Sequence, residues 1–259
     1  MDSALDAATD ALRPFTPGSV EASYKLGDDP VTQADLAVDR AIKAALTQDG
    51  TAWLSEETAD DPLRLEADRV WIVDPLDGTR EFVRGIPEWC VSIGLVVGGV
   101  PVAGGVLAPA ADQRFLGGLG CGVTLNGRTV EANTARDLRG ILVLASRSEV
   151  ARGQWDPYFS TDVSIRTMGS VAYKLALVAA GLADATWSLA PKNEWDVAGG
   201  AALVKAAAGR VSLPDGTTRR FNSRDTLMPG IVATGAEIHD AALELMAEMS
   251  VPTRRRHET

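Results

Sequence analysis

The sequence predicts a layered α/β protein, α+β in its first half and α/β-like in its second. Three observations predict it. Between Thr51 and Gly118 a series of short apolar runs is broken by turn residues. After Gly140, strand-like and helix-like segments alternate. The 259 residues are 46% hydrophobic and 23% charged, enough for a sizeable core in one large domain or two closely joined halves.

Residues Asp2 to Arg13 read as a helix stopped by Pro14. After a polar, glycine-bearing loop, "VTQADLAVDRAIKAALTQ" places Leu36, Val38, Ile42, Ala45 and Leu46 near helical spacing, with Thr32 as N-cap and Asp35 three residues on. "TAWLSEE" is a short strand running into two glutamates, and "RVWIVD" a central strand covered on both faces. "WCVSIGLVV", "VPVAGGVLA" and "QRFLGG" follow as antiparallel strands joined at Gly98-Gly99 and Ala110 to Asp112. Asn126-Gly127 marks a hairpin. The second half opens with "GILVLAS". It continues with helices from Ser170 to Ala180 and Asp196 to Ala208, strands near Ala185 to Leu189 and Ile231 to Thr234, and a final helix from Ala236 to Glu248. These patterns divide the chain into an N-terminal half, 1–135, a C-terminal half, 136–250, and a disordered tail, 251–259.

A net charge of −10, with no basic stripe beyond Arg254 to Arg256, argues against nucleic acid polymers as partners. Cys90 and Cys121 form no CxxC or CxxH pattern and read as buried thiols in a reducing compartment. The acidic N-terminus lacks a basic n-region and no stretch reaches membrane-spanning length, so the expectation is a cytoplasmic chain with no membrane partner.

Carboxylates stand at the ends of apolar runs: Glu56 after "AWLS", Asp74 and Asp77 in "VWIVDPLDGT", Asp196 in "NEWD". Acids clustered in a low-dielectric site need compensation, and hard divalent cations with oxygen ligands supply it. Pro75 keeps Asp74 extended and turns the chain so that Asp77 reaches back toward the same cation. Gly78 and Thr79 then open a short helix, "TREFVRG", whose free amides suit a phosphate. The plainer alternative is that "DPLDGT" is only a turn, but "SEE" and "EWD" would then each need a separate explanation.

"VTQAD", "LSEE", "WIVDPLDGTREF" and "EWDVAGGAALVKAAAG", in this order across Lys25 to Arg210, resemble the signatures of the inositol monophosphatase superfamily of Mg²⁺-dependent, lithium-sensitive phosphatases. The resemblance implies a layered αβαβα sugar-phosphatase fold with the metal site between two halves. It implies two to three Mg²⁺ ions. The first would be held by Glu56, Asp74 and the Leu76 carbonyl, the second by Asp74, Asp77 and Asp196, and a third by Glu56 and water. Asp35, Thr79 and Glu56 would act in catalysis, with Asp35 and Thr79 polarising the attacking water and a loop at Lys25 closing nearby. Asp77, Gly78, Thr79, Ser170, Lys192 and Asp196 would contact the substrate. Asp35 is equally readable as the acid of a capping box with Thr32, and Trp195 as packing that fixes Asp196.

For the substrate, "DPLDGTREF", "GSVAYKLALVAAG" and "APKNEWD" resemble the 3'(2'),5'-bisphosphate nucleotidase branch. Inositol monophosphatases carry an acid about seven residues before the last metal-binding aspartate, whereas Trp187-Ser188-Leu189 offers none. The expectation is hydrolysis of the 3'-phosphate of adenosine 3',5'-bisphosphate, with Lys192 and Arg80 meeting the second phosphate or forming ion pairs with Glu194 or Glu81. Inositol phosphate or histidinol phosphate are the alternatives, because "FVRGIPEW" resembles those phosphatases equally. A homodimer is compatible with the resemblance. A non-catalytic binding module would be expected to have lost a ligand position, and every matched position is filled.

Overall fold

The computed structural model describes residues 1–24, 30–47 and 50–250. Lys25 and the tail 251–259 therefore lie outside the described residues. The chain opens with helix α1 (Asp2–Leu12), the paired strands β1 (Ala22–Tyr24) and β2 (Pro30–Thr32), and helix α2 (Gln33–Leu46). Then come β3 (Ala52–Ser55), β4 (Arg69–Asp77), the short helix α3 (Thr79–Val83), β5 (Cys90–Val97), β6 (Val100–Ala108), β7 (Gln113–Gly118), β8 (Gly122–Leu125) and β9 (Arg128–Val130). Strands β3 to β9 form one seven-stranded sheet in sequence order, parallel only between β3 and β4.

The second half contributes β10 (Leu142–Ser146), α4 (Arg147–Ala151), β11 (Ser164–Met168), α5 (Val171–Ala179), β12 (Ala185–Trp187), β13 (Lys192–Asn193), α6 (Glu194–Ala206), β14 (Arg210–Ser212), β15 (Leu227–Met228), β16 (Val232–Thr234) and α7 (His239–Ser250). Its sheet has the order β11-β10-β12-β16-β14, with β10 parallel to both neighbours.

Period-two alternation sorts these sheets into layers. Along β4, Trp71 and Val73 join the cluster under α1 and α2, where Leu5, Ala8, Val38 and Ile42 are buried. Val70 and Ile72 face the other way, into the cluster built on α5 and α6. Along β10, Leu144 faces those same helices, while Val143 and Ala145 pack outward on Trp155, Trp187 and the α7 residues Ala242 and Met246. The result is the αβαβα order, helix pair, sheet, helix pair, sheet, helix layer. Helix α6 belongs to the second half yet lies on β5 and β6 of the first. The approach is backbone to backbone: a Cβ on Gly104 would collide with the Gly199 carbonyl oxygen, and one on Gly94 would lie 2.8 Å from Ala198. The small residues of "EWDVAGGAA" permit this contact.

The predicted helices and strands are present, with local differences. Strand β4 does not end at Asp74 but runs to Asp77 through a bulge, since Pro75 cannot donate a ladder hydrogen bond. Helix α6 begins at Glu194, two residues before Asp196, because Asn193 caps it. The last helix begins at His239 rather than Ala236. Strands β1, β2, β11, β14 and the β13–β15 pair, and the short helix α4, have no counterpart in the sequence pattern; each is two to five residues long.

Candidate active site

The parity that sends Val70 and Ile72 toward α5 and α6 carries on to Asp74, which is 2% exposed. Its Oδ1 accepts the Leu76 amide at 3.0 Å, closing a local turn around Pro75. Gly78 then takes φ +95°, and a Cβ there would meet the Glu88 carbonyl oxygen at 2.9 Å, so only glycine lets α3 start where it does. Glu56 lies just past β3, its amide bonded to the Val73 carbonyl at 3.3 Å. Asp196 sits in the first turn of α6, where its Oδ2 accepts the Asn193 amide at 2.9 Å. One carboxylate oxygen from each of Glu56, Asp74 and Asp196 lies within 4.8 Å of the others.

Asp77 is placed differently. Its Oδ2 accepts Ser170 Oγ at 2.7 Å and the Ala172 amide at 2.6 Å, tying it to the start of α5. Ser170 holds φ +53° to do this while also capping α5 through the Tyr173 amide at 3.0 Å. A non-glycine residue in that region is uncommon and strained, and such strain gathers at functional sites.

The electrostatics follow from this crowding. Burial, then repulsion from Glu56, Asp77 and Asp196, pushes the Asp74 carboxyl well above its ordinary range. Burial, then Asp77 and Glu56, raise Asp196 to about 8. Burial also raises Asp77, opposed by Ser170, the Ala172 amide, Lys174 and Lys192. Three converging acids, with Asp77 and Leu76 lining the same cleft but Asp77 outside that converging group, favour a divalent cation, and the all-oxygen donors suit a hard one such as Mg²⁺.

Asp35 answers both readings made of it. Its Oδ2 closes the capping box, accepting the Thr32 amide at 2.8 Å and Thr32 Oγ1 at 2.7 Å. Its Oδ1 is 3.0 Å from Thr79 Oγ1, which also lies 2.9 Å from the Leu76 carbonyl oxygen. The hydroxyl has one proton and two acceptors, so it donates to one at a time. Burial raises the Asp35 carboxyl, opposed by Thr32 and Thr79.

A cleft of about 310 Å³ opens over these acids. It is lined by Glu56, Asp74, Asp77 and Thr79 from the first half and by Lys174, Lys192 and Arg147 from the second. Lys192 does not pair with Glu194. Its Nζ lies 3.4 Å from Glu149, a fully buried carboxylate that also accepts Ser188 Oγ at 2.6 Å, the Leu189 amide and Trp155 Nε1. Glu194 instead accepts the Asn222 and Ser223 amides. Arg147 is paired with Glu88 and lies 3.8 Å from Glu81. Trp195, in the first turn of α6, packs partly buried against the core.

Three residues of the site escape a reading of the sequence. Lys174 is 2% exposed and lines the cleft, and among the described residues its side chain makes no hydrogen bond or ion pair. Burial lowers its ammonium to about 8, against the pull of Glu149, Asp77 and Glu81. Its signal is a lone cation in the otherwise apolar helix "VAYKLALVA". Asp39 accepts Ser55 Oγ at 2.5 Å and Thr58 Oγ1 at 2.6 Å, bracketing Glu56, and its signal is its place one turn beyond Asp35. Glu149 gives little local signal, since its partners other than Trp155 are about 40 residues on.

The sequence model of the inositol monophosphatase family matches residues 3–250. The chain belongs to the inositol monophosphatase family. Among curated relatives, inositol monophosphatase 3 of Solanum lycopersicum is 34% identical over 232 residues, 85% of each chain. Among solved structures, an IMPase of Thermotoga maritima superposes with a TM-score of 0.82 at 26% identity, covering 94% of this chain and 93% of that one. CysQ of Bacteroides thetaiotaomicron superposes with a TM-score of 0.74 at 29% identity, covering 91% and 95%. As a member of the inositol monophosphatase family, the protein is a metal-dependent phosphatase acting on small phosphorylated substrates, and its layered fold is the one these structures share. Among the described residues no helix is long and apolar enough to cross a membrane.

Proposed function

We propose that this phosphatase works with Mg²⁺ and prefers a substrate carrying a second anionic group: adenosine 3',5'-bisphosphate, hydrolysed at the 3' position to AMP and phosphate. Glu56, Asp74, Asp77, Asp196 and the Leu76 carbonyl would hold two to three ions, and lithium would inhibit. Bound there, the metal supplies charge neutralisation for the phosphate and lowers the pKa of the attacking water. The chain's own residues do the rest. The Thr79 hydroxyl, shared between Asp35 and the Leu76 carbonyl, orients the water. Gly78, with no Cβ to meet the Glu88 and Trp89 backbone, lets α3 begin directly after Asp77. Ser170 keeps Asp77 aimed into the cleft.

The observation that carries the substrate reading is that two lysines, Lys174 and Lys192, line the same cleft as the acids. Lys174 lines that cleft with no ion pair of its own among the described residues, which leaves its ammonium to meet a ligand anion. Where an inositol monophosphatase would hold ring hydroxyls with an acid, Ser188 and Leu189 are turned onto Glu149, which is wholly buried. A second reading, inositol monophosphate as substrate, is favoured by the names of the curated relatives.

The test is a panel of adenosine 3',5'-bisphosphate, inositol monophosphate, histidinol phosphate and fructose bisphosphate at saturating Mg²⁺. The expected result is the highest kcat/KM for the nucleotide. A tenfold advantage for inositol or histidinol phosphate, ~1.4 kcal/mol of transition-state preference, would overturn the substrate reading and leave the metal chemistry standing.

A further inference from the structure

The two sets of carboxylates come from different halves of the chain: Glu56 and Asp74 from β3 and β4, Asp196 from the first turn of α6. Something must fix the distance between them, and one partly buried network, with Arg64 and Glu194 buried at its ends, joins these segments. Arg64 lies on the single helical turn Pro62–Glu66 that connects β3 to β4. It is only 2% exposed. Its Nε and Nη2 donate to Asp60 at 2.5 and 3.0 Å. Its Nη1 donates to Asn222 Oδ1 at 2.7 Å and its Nη2 to the Ser223 carbonyl at 3.1 Å. Asn222 Nδ2 returns a bond to the Arg64 carbonyl at 2.8 Å.

The same two residues then grip α6. The Asn222 amide donates to Glu194 Oε2 at 2.6 Å and the Ser223 amide to Oε1 at 3.1 Å. Glu194 is fully buried, opens α6, and stands two residues before Asp196. Arg219 adds a 3.6 Å contact to the same carboxylate. Asn222 holds φ +62°, a left-handed conformation kept by these bonds on both sides.

We propose that Arg64, Asn222 and Glu194 form a strut that sets the spacing of Glu56 and Asp74 against Asp196, so that they act as positioning residues for the metal site. The inference rests on the metal reading of the four acids and deepens it. Two physical points carry it. A buried arginine and a buried glutamate are a poor way to gain stability compared with apolar packing, whereas a bidentate fork fixes direction as well as contact. Mg²⁺ demands near-ideal octahedral geometry at short distances, while Ca²⁺ tolerates irregular shells. A strut that holds geometry therefore matters more to Mg²⁺ than to Ca²⁺, and a contribution to stability alone has no such preference.

The test is isothermal titration calorimetry of the wild type, Arg64→Met and Asn222→Gly with MgCl₂ and, separately, CaCl₂. Methionine fills the arginine's volume without the fork, and glycine keeps the positive φ without the amide. The expected result is Mg²⁺ affinity weakened by ~10-fold or more, the loss typical of removing residues that orient metal ligands, with Ca²⁺ affinity changed by less than half as much on a logarithmic scale. In turnover assays the kcat should recover at high Mg²⁺. A folded variant with unchanged Mg²⁺ affinity, or with equal losses for both cations, would overturn the proposal. If Arg64→Met does not fold, Asn222→Gly decides alone, because its backbone conformation is preserved. Asp196→Asn serves as the control. A wild type that binds no Mg²⁺ defeats the metal reading and the strut together. Mg²⁺ binding lost on Asp196→Asn but kept in both strut variants upholds the metal reading and defeats the strut alone.

Discussion

Asp196→Asn should abolish turnover, yet stabilise the metal-free protein. The Asp196 carboxyl is raised from 3.8 to about 8, first by burial and then by Asp77 and Glu56. Because the folded-state value lies above the unfolded one, its stability contribution is fully present below pH 3.8 and is lost as pH rises through about 8. The nominal shift corresponds to roughly 5 kcal/mol at pH 8, at about 1.4 kcal/mol per unit. Two effects reduce it. The acids titrate together, so removing one lets its neighbours ionise more readily, and the aspartate also gives up ~0.5 kcal/mol of favourable interaction with the α6 N-terminus. A net gain on the order of 1–3 kcal/mol remains, a rise in Tm of roughly 3–10 °C for a chain of this size. The asparagine carbonyl oxygen can still accept the Asn193 amide, so the helix cap survives. Thermal melts in EDTA from pH 5 to pH 8 should show the variant's advantage growing with pH. Adding 10 mM Mg²⁺ should reverse the order, since the wild type gains binding free energy that the variant cannot. A variant less stable than wild type in EDTA at pH 8, or an advantage that does not change with pH, would refute the reasoning.

The remaining predictions concern the cleft wall, the helix seat and an acid-sensitive histidine. Lys192→Ala and Lys174→Met should each raise KM for a bisphosphate by ~10- to 100-fold, the worth of one charge-assisted hydrogen bond, and change KM for a simple monophosphate far less; steady-state kinetics with both substrates checks this. Gly104→Ala should cost at least ~1–3 kcal/mol in urea denaturation, because its Cβ would collide with the Gly199 carbonyl oxygen and lift α6 off the sheet. His239 is buried between Ser212 Oγ at 2.9 Å and Thr234 Oγ1 at 3.0 Å, and burial holds its imidazole below 6.5. The unfolded chain then binds the proton more readily, so stability falls as pH drops below 6.5; His239→Gln should flatten the difference in denaturation midpoint between pH 7.5 and 5.5.

What the sequence disclosed was set by how local each cause is. "RVWIVD" carries its own alternation, and extending that parity by one step aims Asp74 at α6 without reference to any other segment. "DPLDGT" is likewise local: the proline, the glycine at φ +95° and the Leu76-to-Asp74 turn all lie within six residues. The capping box of Thr32 and Asp35 is written in four. The cross-chain parts were illegible for a matching reason. Arg64 is 158 residues from Asn222, and Lys192 finds Glu149 rather than the nearer Glu194. Strands of two or three residues, such as β13 and β15, exist only because a distant partner pairs with them. Asn193 is a cap hidden in plain view, because "NEWD" invites a reading centred on its acid.

The division of labour between the halves explains why reaction class was easier to read than substrate. Of the candidate metal-binding acids, Glu56, Asp74 and Asp77 sit on or just past β3 and β4, in a sheet built from consecutive segments, and α6, which carries Asp196, is locked onto that sheet through glycines too close for any side chain. A rigid seat of this kind tolerates little variation, so its sequence is distinctive. The second half lines the same cleft with side chains from β13, α4 and α5, Lys192 and Arg147 each held by a partner and Lys174 by none among the described residues. Exchanging one of those residues alters what fits beside the reacting phosphate without moving an acid. Under the proposed function, the specificity of this phosphatase would reside in contacts between segments of the second half, where one-dimensional patterns carry the least information.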